Sequence, residues 1–199
     1  MYEKFGQFID GKWVKSSSGE TYEVINPANE EVLGNASKAS PKDVEAALKS
    51  AEKGLEVWKK TPPWQRAYIL RRIADKMREK QDVLAKWMTL EVGKPFNEAK
   101  GEVNGAADIY EWNAEETKRI YGQTVESRFE DTRVHVYYQP VGVVAALVPW
   151  NFPLVLSARK ISTALAAGCS VIVKPDVITP GVVMEQVEIC RECGVPPGV

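Results

Sequence analysis

The chain has 199 residues, and its 26 Lys and Arg residues nearly balance its 27 Asp and Glu residues, for a net charge of -1. This balance gives no electrostatic basis for nucleic acid or an anionic membrane surface as the main partner. Hydrophobic and charged fractions of 44% and 27% are those of an ordinary globular protein, and three cysteines do not make a disulfide framework.

The N-terminal part of the chain is typical of short strands followed by helices. Asp10 and Gly11 favour a tight hairpin turn, and residues 26–29 (NPAN) indicate a second turn. Residues 40–43 (SPKD) then combine a hydroxyl cap, a proline at the first helical position and a carboxylate three residues after the cap. Apolar residues recur at helical spacing from there to about residue 122, which predicts amphipathic packing helices.

The C-terminal part changes to a strand–helix alternation. Residues 134–138 (VHVYY) are typical of a half-exposed strand. Residues 141–148 (VGVVAALV) are apolar at every position, which predicts a parallel strand buried on both faces. A helix over 154–167, a second buried strand over 170–174 and a helix over 179–194 complete the pattern of an open α/β sheet.

Two polar residues fall where open α/β sheets bind ligands, beyond the carboxyl ends of the strands. Asn151 follows the first buried strand in a loop that prolines fix on both sides, and Lys174 ends the second strand. The alternative is a purely structural role, in which the Asn151 side chain only hydrogen-bonds the backbone of its own loop and Lys174 extends its ammonium into solvent. Spacing alone leaves both interpretations open.

Several segments resemble the NAD(P)-dependent aldehyde dehydrogenase superfamily. They are residues 149–154 (PWNFPL), 164–169 (ALAAGC) and 174–176 (KPD), with Thr179-Pro180 following. Residues 88–95 (MTLEVGKP) resemble its succinate-semialdehyde dehydrogenase branch. The resemblance implies an α/β chain that forms the N-terminal part of the aldehyde dehydrogenase fold: an open Rossmann-like parallel sheet with flanking helices plus an oligomerisation β-ribbon.

The same resemblance implies three segments. Residues 1–122 would supply the N-terminal hairpins and helices of the cofactor-binding domain. Residues 123–140 would form the oligomerisation ribbon of a dimer or tetramer, and residues 141–199 the first βαβα units of the NAD(P)-binding domain. The family's nucleophilic cysteine, general-base glutamate and second glycine-rich turn would lie beyond residue 199, so we expect the chain alone to be inactive.

The resemblance also implies roles for individual residues. Asn151 would donate its amide N–H to the aldehyde oxygen, as half of an oxyanion hole for a thiohemiacetal. Lys174 would donate to a hydroxyl of the adenosine ribose. Arg159 matches a basic residue for the distal carboxylate of the substrate, which a guanidinium pairs bidentately, although a surface or interface arginine is the alternative. The implied cofactor-binding residues are Val148, Pro149, Trp150, Asn151, Lys174, Pro175, Asp176 and Val177.

One of these positions departs from the family pattern. Val177 stands where NAD-preferring relatives have Glu and NADP-preferring relatives have Ser, and valine cannot bond a ribose hydroxyl. Asp176 beside it would repel a 2′-phosphate, which favours NAD, with NADP as the other option.

The implied activity of the complete enzyme is oxidation of an aldehyde, such as succinate semialdehyde, to the carboxylate with NAD(P)+. The alternative is a catalytically incompetent fragment that only binds nucleotide or associates with other chains. A third option is an α/β packing module with no ligand.

Other chemistry receives little support from the sequence. Cys169 lies in an apolar context and is interpreted as a small buried filler. Cys190 and Cys193 form a lone Cys-x-x-Cys, which is weak support for a metal or redox site, and His135 is interpreted as structural. With no secretory signal and no apolar run long enough to span a bilayer, we expect a cytoplasmic protein.

Overall fold

The computed structural model describes residues 2–199. Two antiparallel hairpins come first, namely β1 (Gln7–Ile9) with β2 (Lys12–Val14) and β3 (Thr21–Ile25) with β4 (Val32–Ser37). The first hairpin turns at Asp10 and Gly11, whose φ angles of 52° and 76° are both positive. A two-residue turn of this hand matches the twist of its flanking strands, so the turn predicted at this dipeptide is present.

Four helices form the body of the chain: α1 (Pro41–Trp58), α2 (Pro63–Glu79), α3 (Gln81–Val92) and α4 (Phe96–Thr117). The predicted start of α1 is a complete capping box. The backbone N–H of Asp43 donates to Ser40 Oγ at 3.3 Å, and the N–H of Ser40 donates to Asp43 Oδ2 at 2.8 Å. The fully buried side chains of this layer include Trp58, Leu70, Met77, Met88 and Tyr110.

In chain order, an exposed two-stranded ribbon lies between the four helices and the parallel sheet. Strand β5 (Gln123–Glu126) pairs antiparallel with β6 (Arg133–Val136), and every residue of both strands is exposed. The strand expected over residues 134–138 is therefore present but begins one residue earlier and ends two residues earlier. His135 lies in this ribbon, with its Nδ1 3.2 Å from Thr124 Oγ1.

The C-terminal part repeats one βα unit twice. Its elements are β7 (Val143–Leu147), α5 (Pro153–Ala166), β8 (Ser170–Lys174) and α6 (Pro180–Glu192). Strands β7 and β8 are parallel and in register from Val143 with Ser170 to Leu147 with Lys174. On the other side of β8, the Val171 N–H donates to the carbonyl of Val199 at 3.3 Å.

The expectation that β7 is buried on both faces is wrong in part. Ala146 is fully buried, but Ala145 is exposed and Leu147 is 62% exposed. Strand β7 pairs with β8 on one side only, so it is an edge strand within residues 2–199. An apolar run shows that a strand can be covered, but it does not show which neighbours cover it.

Candidate functional site

The two loops that follow β7 and β8 leave the sheet side by side. The strands are parallel, so their carboxyl ends lie at the same edge, where Leu147 is paired with Lys174. The N–H of Val148 extends this pairing by donating to the Lys174 carbonyl at 3.0 Å. The site residues that the sequence predicted at the ends of these strands therefore meet at one sheet edge, which is the usual ligand position of such sheets. Arg159 is not among them, because it lies on α5.

Asn151 presents a free amide at this edge. Its side chain is exposed, and within residues 2–199 its amide makes no hydrogen bond. The backbone carbonyl of the same residue accepts a bond from Lys94 Nζ at 3.2 Å. The backbone is thus held while the amide stays available, so the alternative in which Asn151 satisfies its own loop backbone does not describe this geometry.

The second loop places an ammonium and a carboxylate close together in sequence. Lys174 is exposed, and its Nζ donates to the Pro175 carbonyl at 3.2 Å. Asp176 Oδ1 accepts from the Ile178 N–H at 3.1 Å, which holds the carboxylate in a local turn. The side chain of Val177 is 55% exposed and offers no polar atom.

The first loop adds apolar surface, and Arg159 lies further away. Val148 is 5% exposed, whereas Trp150, between the prolines, is 51% exposed. Arg159 is exposed on α5, six residues after the helix begins, or about 9 Å along its axis. Its guanidinium makes no ion pair with any residue from 2 to 199.

Both helices that start at this edge are capped by glutamates from other helices. Their own N-cap residues, Phe152 and Thr179, make no side-chain cap. Glu102 Oε1 accepts from the N–H groups of Leu154 and Val155 at the start of α5, at 3.0 and 3.2 Å. A carboxylate is favoured there because the first N–H groups of a helix are unpaired and its dipole is positive at that end.

Glu91 does the same for α6 from a fully buried position. It accepts from the Gly181 and Val182 N–H groups, at 2.6 and 3.1 Å, and from the hydroxyl of Tyr2. Burial raises the pKa of Glu91 to about 7, against the lowering effect of these three hydrogen bonds. The start of α6 is therefore tied to α3 through a titratable group.

Lys94 is the residue near the site to which the sequence analysis gave no role, since it was noted there only as part of residues 88–95, the segment that resembles the succinate-semialdehyde dehydrogenase branch. Its side chain is 12% exposed and pairs with Glu102, which is 2% exposed. Its Nζ also lies 4.1 Å from the centroid of the Phe152 ring. The available signal was a lysine held between a glycine and a proline, off any amphipathic helix face.

The cysteines lie away from this edge and are buried. Cys169, Cys190 and Cys193 are all free thiols. Burial raises the pKa of Cys190 to about 12, so the thiol is kept protonated and unreactive. In the part of the chain that the structure describes, no group of three or more His, Cys, Asp or Glu residues is placed to hold a metal ion.

Comparison with known proteins decides the family. The model of the family described as "Aldehyde dehydrogenase family" matches residues 13–199. The chain belongs to this family. Among the curated proteins, the chain is 45% identical over 191 residues to the succinate-semialdehyde dehydrogenase [NADP(+)] GabD of Escherichia coli. It is 44% identical over 192 residues to a glutarate-semialdehyde dehydrogenase of Pseudomonas aeruginosa.

These matches cover 96% of this chain but 40% of either relative. Solved structures agree with the assignment of the aldehyde dehydrogenase fold. An E. coli NADP-dependent enzyme superposes with a TM-score of 0.96 at 44% identity, over 100% of this chain and 42% of that one. The betaine aldehyde dehydrogenase of Staphylococcus aureus, solved with NAD+, gives 0.95 at 34% identity, over 98% and 40%. The chain thus corresponds to about two fifths of its aldehyde dehydrogenase relatives.

No helix among residues 2–199 has the length and apolar character needed to cross a membrane.

Proposed function

We propose that this chain forms the N-terminal, cofactor-binding portion of an NAD(P)-dependent semialdehyde dehydrogenase. The observation that carries the proposal is the exposed, unbonded Asn151 amide at the same sheet edge as the Lys174 ammonium. The semialdehyde dehydrogenases of E. coli and P. aeruginosa, at 45% and 44% identity, support the substrate class. The substrate is accordingly a small aldehyde with a distal carboxylate, such as succinate semialdehyde.

The residues at the edge fit a nicotinamide dinucleotide. Lys174 needs to break only one hydrogen bond, to the adjacent Pro175 carbonyl, to donate to a ribose hydroxyl. Val148, Pro149 and Trp150 provide the apolar wall that a cofactor cleft requires. When bound there, a nicotinamide dinucleotide would supply the hydride acceptor for the oxidation. Asp176 disfavours a 2′-phosphate, so we assign NAD as the preferred form.

Asn151 and Arg159 act on the substrate in this proposal. Asn151 donates its amide N–H to the oxygen of the aldehyde, where negative charge develops as a nucleophile adds. Arg159 binds the carboxylate at the other end, for which its guanidinium is uncommitted within residues 2–199. The nucleophile and general base come from outside these residues, and the exposed ribbon of β5 and β6 pairs with a sister subunit.

Calorimetric titration of the chain tests the cofactor part. We expect NAD+ to bind more tightly than NADP+, and Lys174→Ala to abolish the binding. Lys53→Ala, an exposed lysine of α1, is the matched control and should leave binding unchanged. Unchanged affinity in Lys174→Ala contradicts the cofactor role. The chain alone should not oxidise succinate semialdehyde with either cofactor, and detectable turnover contradicts that expectation.

A hybrid enzyme tests the catalytic part. Residues 13–199 replace the matching segment of the E. coli semialdehyde dehydrogenase, which supplies the remaining segments. The hybrid should oxidise succinate semialdehyde. Arg159→Met should raise the KM for this substrate, and it should have a smaller effect on the kinetics of a short aldehyde that has no carboxylate. A folded hybrid without turnover, or an unchanged KM in Arg159→Met, contradicts the respective assignment.

A further inference from the structure

We propose that Lys94 is a positioning residue for Asn151, holding the loop of residues 149–153 so that the amide keeps its direction. Glu102 fixes Lys94 in turn. The inference rests on the proposed role of the Asn151 amide, and it assigns to the Gly93–Pro95 connection a task in the reaction that its sequence does not reveal.

The first argument is that Lys94 contacts the loop at two points around the Asn151 amide. Its Nζ donates to the Asn151 carbonyl at 3.2 Å and lies 4.1 Å from the Phe152 ring centroid. An ammonium that is only 12% exposed and contacts a carbonyl and a ring face at once is attracted by both groups, so it restrains the loop at two neighbouring residues. Both contacts restrain backbone, or a ring next to it, and leave the Asn151 amide free.

The second argument is that, apart from the prolines at positions 149 and 153, the loop has few other restraints. Within residues 2–199, none of the backbone N–H groups of Trp150, Asn151 and Phe152 donates a hydrogen bond. The loop is pinned at its ends, where Val148 donates to Lys174 and Leu156 donates to the Phe152 carbonyl at 2.9 Å. Lys94 is the restraint between these ends, so the direction of the amide depends on it.

The third argument is that Lys94 is itself immobilised. Helix α3 ends at Val92 and is capped by Gly93 in the left-handed region, with φ 71°, and Pro95 restricts the backbone of the residue before it. The Lys94 ammonium pairs with Glu102, and the other oxygen of that carboxylate caps α5. One carboxylate thus ties the lysine to the helix that ends the loop, so the lysine, the loop and α5 form one unit.

Nuclear magnetic resonance on the chain tests the restraint without any assumption about catalysis. We expect backbone order parameters of about 0.85 for residues 150–152, falling below about 0.6 in Lys94→Met, with the helices unchanged. Lys94→Arg should retain most of the order, since a guanidinium also pairs with Glu102. Lys100→Met is the matched control, because Lys100 pairs with Asp82 at 2.8 Å and lies 5.6 Å from the Phe96 ring centroid, away from the loop.

If Lys94→Met does not fold, Lys94→Met combined with Glu102→Gln removes the unpaired buried carboxylate and permits the same measurement. Loop order parameters that stay at the wild-type values in the folded variant overturn the proposal. So does a loss of order spread evenly over α4 and α5, because that is the signature of a purely structural role.

The hybrid enzyme separates this inference from the proposed function. A displacement of about 1 Å at a reacting group costs roughly 100-fold in rate, so Lys94→Met should lower kcat by about 10- to 100-fold and change KM little. Lys94→Arg should recover most of that loss. If Asn151→Ala lowers kcat and Lys94→Met does not, the positioning role is wrong; if neither variant lowers kcat, the role of Asn151 is wrong.

Discussion

The Glu91 carboxyl makes the stability of this fold depend on pH in a specific way. Burial raises the pKa of Glu91 from 4.5 to about 7 in the folded chain. The contribution of this group to stability is therefore complete below about pH 4.5, and it is lost as the pH rises through 7, where the buried carboxyl ionises. At about 1.4 kcal/mol per pKa unit, the loss between pH 5 and pH 8 amounts to about 2–3 kcal/mol.

Glu91→Gln removes this dependence. The amide keeps one acceptor for the N–H groups of Gly181 and Val182, and its loss of the other acceptor costs about 1 kcal/mol at every pH. Urea unfolding at pH 5, 6, 7 and 8 gives the free energy of unfolding of both chains, and all other titrating groups cancel in the difference. The wild type should lose about 2–3 kcal/mol relative to Glu91→Gln across this range.

The exposed Glu52→Gln of α1 is the control and should follow the wild type. A difference between Glu91→Gln and wild type that is the same at pH 5 and pH 8 refutes the reasoning.

Two further predictions concern packing and cofactor choice. A Cβ at Gly181 lies 2.2 Å from a Trp87 ring carbon and 2.7 Å from Glu91 Oε1, so Gly181→Ala should lower the free energy of urea unfolding by at least about 1–3 kcal/mol. Gly101, inside α4 with open space around it, is the matched position, where Gly101→Ala should raise the same free energy by about 0.5–1 kcal/mol; equal effects at both sites contradict the packing account. Asp176→Asn removes the charge that disfavours a 2′-phosphate, so NADP+ affinity should rise about 5-fold in calorimetry, equivalent to about 1 kcal/mol, while NAD+ affinity is unchanged. No change in the ratio of the two affinities contradicts the role given to Asp176.

Local signals in the sequence predicted much of this fold because they act over a few residues. The capping box at Ser40 and Asp43 and the turn at Asp10-Gly11 need only their own backbone, and both are present. Strand β8 has the predicted bounds. A short apolar run between a glycine and a lysine limits where such a strand can begin and end. The exposure of Leu147 was not predictable in this way, because it depends on which strand lies beside β7.

The candidate site likewise contains features that follow from the local sequence and contacts that do not. Asn151 and Lys174 follow strand ends, so their meeting at one edge follows from the βα pattern. The contacts of Lys94, Glu102 and Glu91 join residues 50 or more positions apart in the chain, apart from the Lys94–Glu102 pair. No periodicity or short motif encodes such a contact, since it arises only when α3 and α4 pack against the starts of α5 and α6.

The most direct test of the central claim is the kcat of the hybrid enzyme with Asn151→Ala. Removal of one oxyanion donor should lower kcat for succinate semialdehyde by about 100- to 1,000-fold. Because Asn151 is also one of the implied cofactor-binding residues, the cofactor Kd is measured alongside, and it should change far less than kcat, since Lys174 and the apolar wall are intact. A kcat that stays within about 2-fold of the unsubstituted hybrid, less than half a kcal/mol in barrier, contradicts the assignment of this edge as the aldehyde site.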